Sequence, residues 1–187
     1  MPRLFVAVDP PTEARAHLDQ ALDALRGAPG EPRWIPAERW HLTLLFLGAV
    51  PDDDVAGLRT AVGEAVVGTT PPALRIAGAG RFGAGRRPQV FWAGLAGDVG
   101  ALTDLADRLR AAVRALGLPV EDRPFRAHLT VGRWRPRAPA DPALPGRLAD
   151  YRGPEWPVTE VTLFESHLGR PAPYETVAAW PLTRRTP

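Results

Sequence analysis

The tripeptide His-Leu-Thr occurs twice, as His41-Leu42-Thr43-Leu44 and as His128-Leu129-Thr130-Val131, one copy in each half of a 187-residue chain. Each copy lies in a run that reads as a β-strand, where successive side chains alternate faces. His and Thr, two apart, therefore project together, while Leu42, Leu44, Leu129 and Val131 turn the other way into a core. An imidazole moves protons near neutral pH, and a hydroxyl can donate to an oxygen that gains charge. One such pair is ordinary strand composition. Two pairs are a different matter when each is approached by an aromatic-containing segment, with Trp34 and Trp40 before the first and Phe125 before the second. They suggest two similar lobes facing a shared cleft, and a cleft with two histidines can run acid–base chemistry.

Absent residues narrow that chemistry. The chain has no Cys, Lys or Asn, its 23 basic residues are all Arg, and its only Ser is Ser166. A thiol nucleophile, a Schiff-base lysine, a lysyl-nucleotide intermediate and a P-loop each require a missing residue. So do disulfides and thiolate zinc sites. His, carboxylate, Thr and Arg remain, a set that suits a phosphate, because Arg presents a planar fork of donors to its oxygens. Ser166 beside His167 does not make a serine hydrolase, since neighbours on a strand point apart and no G-x-S-x-G elbow surrounds the serine. The two His-x-Thr pairs also lack carboxylates at metal-ligand spacing. His17 reads as a surface residue of an amphipathic helix.

With 45% hydrophobic residues the chain can bury one sizeable core or two small lobes packed together. It shows no secretory pattern and no 18-residue apolar run, so a soluble cytoplasmic protein without membrane contact is expected. A formal net charge of only +2 argues against a general nucleic-acid coat, so contact with a polyanion should be local. The arginines of segments 81–87 and 123–137 are candidates for that contact.

The elements that must position the motifs follow from periodicity. Residues 3–9 form an apolar strand. Residues 12–26 carry Ala16, Leu18, Leu22 and Leu25 near helical spacing between Pro11 and Gly27. Residues 40–47 are the first motif strand, ended by Gly48, and 52–67 a helix whose acidic start complements its dipole. Strands are expected at 73–82 and 89–95, joined by a turn over 83–88. The second half echoes this order. A helix over 98–116 places Leu102, Leu105, Leu109, Val113 and Leu116 on one face, and the second motif strand spans 126–134. A Pro-rich loop with at most one short helical turn covers 135–148. Strands at 156–168 and 174–182 flank a hairpin at Gly169-Arg170-Pro171. Helix, motif strand, strand, strand in each half is a duplicated α+β pattern.

Two His-x-Thr-x motifs in a chain of this size resemble the 2H phosphoesterase superfamily. The opening Arg3-Leu4-Phe5-Val6-Ala7-Val8, the run from His41 to Gly48, the run from Leu163 to Gly169, and Tyr174-Glu175 with Trp180-Pro181-Leu182 are similar to its RNA 2′,3′-cyclic phosphodiesterase (2′–5′ RNA ligase-like) branch. The resemblance covers essentially the whole chain. It implies an α+β fold of two pseudo-twofold-related lobes within one domain, with antiparallel sheets lining a central groove and helices outside. It also implies no metal requirement, and a monomer without a cofactor is expected. The activity it implies is hydrolysis of RNA 2′,3′-cyclic phosphate ends to 2′-phosphomonoesters, with ATP-independent 2′–5′ joining as the reverse. By the same analogy His128 is the base, His41 the acid that protonates O3′, and Thr43 and Thr130 hold phosphate oxygens.

Phe46 and Arg133 each follow their motif His by five residues, and the resemblance implies contacts with base and phosphate respectively. Strict alternation puts both on the face opposite the His. They reach the groove only if each strand bulges after its motif; otherwise Phe46 is core, whereas an Arg at that depth needs an anionic partner. Two other readings stay open: a 2H phosphoesterase acting on a small cyclic nucleotide or an ADP-ribose cyclic phosphate, and a nucleotide-binding module without turnover.

Overall fold

A computed structural model describes residues 1–83, 89–167 and 173–182. In chain order the strands are β1 (Arg3–Val8), β2 (Arg33–Trp34), β3 (Leu42–Ala49), β4 (Ala73–Phe82), β5 (Val90–Gly97), β6 (His128–Arg133), β7 (Arg152–Pro157), β8 (Glu160–Ser166) and β9 (Tyr174–Pro181). The α-helices are α1 (Thr12–Asp23), α2 (Val55–Val66) and α3 (Val99–Ala115). The fold is α+β, as expected, with two antiparallel sheets ordered β3-β1-β8-β9 and β2-β6-β5-β4-β7. Apart from the two-residue β2, each sheet runs from its motif strand across three more strands. Each motif strand pairs with a strand that leads into a helix, as β1-α1-β3 and β5-α3-β6.

The sheets are not, however, the two halves of the chain. The hairpin after the first motif strand, β4 and β5, joins β6, whereas the last two strands, β8 and β9, return to complete the sheet of β3. β1 pairs with both β3 and β8, so the end of the chain is stitched to its beginning. The helices cross over as well, with α1 packing on β7 and β4 and α3 on β3 and α2. The core is accordingly continuous between the sheets. On α3, Leu102, Leu105, Leu109 and Val113 are fully buried, each worth roughly 1.5–3 kcal/mol of transfer free energy. Leu116, expected on that face, is instead 44% exposed just beyond the helix end.

Other boundaries move for local reasons. The expected strand 156–168 is two strands, because Pro154 and Pro157 have no N–H to give and confine β7 to the sheet edge beside β4. The turn between them is tied down by Val158 N–H donating to Pro72 and Leu182 N–H donating to Thr159, both at 2.8 Å. β2 is too short for any periodicity to announce. β3 starts at Leu42 and continues through Gly48, whose φ of +68° a glycine accepts without strain. Helix α1 stops at Asp23 and residues 52–54 are a 3₁₀ turn leading into α2. The segment 135–148 contains one 3₁₀ turn, Leu144–Leu148. The expected turns at 83–88 and 169–171 fall largely or wholly outside the described residues.

Candidate active site

Both motif strands carry a β-bulge immediately after the motif Thr. Across β1 and β3, Ala7 faces Thr43 and Val6 faces Leu45, leaving Leu44 as the extra residue. Across β5 and β6, Trp92 faces Thr130 and Phe91 faces Gly132, leaving Val131 extra. Leu44 and Val131 are both buried. An extra residue reverses the alternation downstream, which turns the fifth residue after each His back to the face of the His. Phe46 and Arg133 consequently line one cavity of about 440 Å³ together with His41, Thr43, His128 and Thr130. Phe46 is 60% exposed, with its ring 6.0 Å from that of Phe5, so it is not a core residue. Arg133 is exposed rather than deep, and no carboxylate among the described residues pairs with it.

The two histidines are held alike. His41 Nδ1–H donates to the carbonyl of Arg39 at 3.0 Å, and His128 Nδ1–H to the carbonyl of Arg126 at 2.6 Å. A carbonyl only accepts, so each Nδ1 carries a proton and each Nε2 is left as the nitrogen that gains or gives one. Trp40 fixes the first of these from behind: its indole is buried and Nε1–H donates to Ile35 at 2.8 Å. Aromatic edges brace both rings. Tyr174 meets His41 at a centroid distance of 5.0 Å, and Phe82 meets His128 at 4.9 Å.

Burial pushes both imidazoles below their ordinary value near 6.5, the backbone hydrogen bonds partly offsetting it. The charges of Arg15, His128 and Arg133 lower His41 further, and those of Arg126 and Arg133 lower His128. Arg3, Arg39, Arg123 and Arg133 all line the cavity, and among the described residues no Asp or Glu does. The small net charge of the chain thus conceals a groove of one sign. Neither Thr43 nor Thr130 commits its hydroxyl to a partner among the described residues. No cluster of three or more His, Asp or Glu placed to hold a metal ion occurs among them either.

Every site residue expected from sequence meets in this cavity. Of the others, Ser166 lines it at the end of β8, but His167 turns to Glu175 at 3.1 Å and Glu165 at 3.7 Å. Exposed His17 bonds Tyr151 through Nδ1 at 2.9 Å. Sequence reasoning missed Arg39 and took Arg126 only as one of the arginines of segment 123–137; the two stand at the same place, two before each His. A longer repeat, Arg-x-His-Leu-Thr, was there to be read. It also missed Tyr174 and Phe82, which distant strands deliver.

Comparison with known proteins places this arrangement. The profile described as the 2′-5′ RNA ligase superfamily matches residues 10–170. The chain belongs to that superfamily, among the 2H phosphoesterases. It is 33% identical over 95% of its length to a Geobacillus stearothermophilus protein named RNA 2′,3′-cyclic phosphodiesterase, of whose length it spans 56%. It is 34% identical to a Thermus thermophilus protein of the same name, over 94% of this chain and 87% of that one. The crystal structure of Escherichia coli LigT complexed with 3′-AMP shares the fold with a TM-score of 0.77 and 29% identity, over 97% of this chain and 98% of that one. Among the described residues no helix is long and apolar enough to cross a membrane.

Proposed function

We propose that this chain hydrolyses the 2′,3′-cyclic phosphate ends of RNA to 2′-phosphomonoesters. One observation carries the reading: two imidazoles, each with Nδ1 fixed on a carbonyl and Nε2 free, share a carboxylate-free, arginine-lined groove with two uncommitted Thr hydroxyls. The names of the relatives support it. Opening the ring requires a base for water, an acid for the departing ribose oxygen and donors for the non-bridging oxygens. His128 Nε2 takes the proton of the attacking water while Nε2–H of His41 protonates O3′ as the P–O3′ bond breaks. Thr43, Thr130 and Arg133 donate to the phosphoryl oxygens, and Phe46 offers its exposed ring to the base. Run backwards with a 5′-hydroxyl in place of water, the same groups form a 2′–5′ bond without ATP. All of these groups lie on one chain, so a monomer suffices.

The test is hydrolysis of a nucleoside 2′,3′-cyclic phosphate in excess EDTA. His41→Ala and His128→Ala should each lower the rate at least about a hundredfold, the usual scale for one acid–base group. Phosphorus NMR should find the phosphate on the 2′ oxygen. Full activity in either variant removes the assignment, and a 3′-phosphate product reverses the leaving group.

A further inference from the structure

On the His41 side the groove adjoins a second cavity, of about 360 Å³, that does not reach His128. His41, Arg39 and Tyr174 are common to both linings, and Asp9, Glu38 and Phe164 belong to this one alone. Its size falls within the roughly 300–1,000 Å³ of small-ligand sites. Its chemistry is unlike that of the groove. Among the described residues Asp9 and Glu38 outnumber Arg39, so an anion is not what it suits.

The stereochemistry of ribose says what would arrive there. O3′ sits on the carbon next to C4′, which carries the 5′ arm of the chain, whereas O2′ sits on the carbon next to C1′, which carries the base. With O3′ at Nε2 of His41, the 5′ arm leaves on the His41 side and the terminal base on the other. Phe46, assigned to that base, lines a cavity with His128 and is absent from this one.

We propose that the cavity beside His41 receives the base of the nucleotide one step upstream of the cyclic phosphate, and that Glu38 selects guanine there. This rests on the reading of His41 as the acid at O3′ and deepens it by giving the enzyme a preferred RNA end. An ionised carboxylate only accepts hydrogen bonds, through two oxygens side by side. Guanine alone among the four bases presents two adjacent donors, N1–H and N2–H, on its Watson–Crick edge. Adenine and cytosine set a ring acceptor beside their amino group, and the single N3–H of uracil lies between two carbonyls. Unstacked bases of single-stranded RNA are read in this way, by their edges and against aromatic side chains.

Glu38 is suited to the part. It is exposed on the 3₁₀ turn Ala37–Arg39, and no side-chain hydrogen bond or ion pair engages it among the described residues. Trp40 anchors that turn, its backbone N–H donating to Ala37 at 3.1 Å and its indole to Ile35 at 2.8 Å. The same turn carries the Arg39 carbonyl that holds His41, so the upstream base and the reacting phosphate are registered on one segment. Asp9, 3.7 Å from Arg15 and so beyond a hydrogen bond to it, is a second acceptor in the lining, and partly exposed Tyr174 supplies an aromatic wall. Arg39, common to both cavities, lies where the phosphate linking the two nucleotides crosses between them.

The experiment compares kcat/KM for four dinucleotides that end in cytidine 2′,3′-cyclic phosphate and differ only in the upstream base. Guanine should exceed uracil by at least about tenfold, the scale of one bidentate pair. Glu38→Gln replaces one acceptor oxygen by a donor amide, which matches the amino group and N1 of adenine, so adenine should overtake guanine in that variant. Glu38→Ala should instead bring the four within about twofold of one another. Each result is a ratio between substrates of one enzyme, so a general loss of activity cancels. Equal rates for the four in the unaltered enzyme overturn the proposal, as does a guanine preference that survives both substitutions or cleavage confined to the mononucleotide. If neither the dinucleotides nor cytidine 2′,3′-cyclic phosphate is cleaved, the phosphodiesterase reading falls and the subsite with it.

Discussion

An imidazole with one nitrogen tied to a backbone carbonyl is a one-proton device, and this groove holds two that differ mainly in their surroundings. For both, burial moves the proton affinity down from about 6.5, and neighbouring arginines add to the effect. The base must be neutral, so its pKa sets the acid limb of the rate profile, while the acid must be protonated and its pKa sets the alkaline limb. With both lowered, the bell for kcat/KM should be centred below pH 6.5. Bound phosphate stabilises the imidazolium form, so the profile of kcat should lie at higher pH than that of kcat/KM. Initial rates at low and saturating substrate across pH 4–9, about the span in which histidines titrate, check this; coincident profiles contradict it. Linkage has the same sign for stability, because the unfolded chain binds these protons more readily: stability is kept above 6.5 and lost as pH falls toward the lowered values. The histidines and threonines were legible because their spacing repeats. Arg39 and Arg126 repeat with them, but that spacing does not reveal what each contributes to the motif His, which is a carbonyl that every residue has.

At the scale of elements, alternation alone assigns Phe46 and Arg133 to the wrong face. A bulge is a register event between two strands and leaves no signature in either one. Strand order is equally silent, since a period of two says which face is buried but not which neighbour lies alongside; hence the exchange of β4-β5 and β8-β9 between sheets had to be seen. The α+β class and the three helices were legible, because α3 needs one apolar face whatever it packs against. Two glycines separate local strain from close approach. At Gly48, with φ of +68°, an added Cβ would meet nothing within 4 Å. At Gly97, with φ of +100°, it would press into the carbonyl of Ala73 where β5 turns into α3. Gly48→Ala should cost about 1–2 kcal/mol in urea unfolding, the usual cost of a left-handed non-glycine residue. Gly97→Ala should cost clearly more, and equal losses would show that the β5-α3 corner gives way freely.

At the scale of the molecule, a chain of net charge +2 concentrates, among the described residues, four arginines and no carboxylate on one groove. A mononucleoside cyclic phosphate brings a single charge to it, whereas an oligonucleotide with the same end brings one more for each phosphate the groove can reach. Each neutralised phosphate of a single strand releases counterions and adds a slope of about −0.7 to log K against log salt. The oligomer should therefore bind more tightly at low salt and lose that advantage as salt rises, while the mononucleotide responds weakly. Arg133→Ala should weaken both substrates, because it lines the cavity beside the motif residues and is proposed to hold the reacting phosphate. Arg3→Ala, at the start of β1 on the groove wall, should weaken only the oligomer and reduce its slope by about 0.7. Arg86 and Arg87, in the first arginine segment, lie outside the described residues, so Arg3 carries this test. Titrations of KM for the two substrates between 50 and 300 mM salt, about the range over which screening changes most, decide the matter. Equal slopes would leave cyclic phosphodiester chemistry standing and make a small cyclic nucleotide, rather than RNA, the substrate this groove is built for.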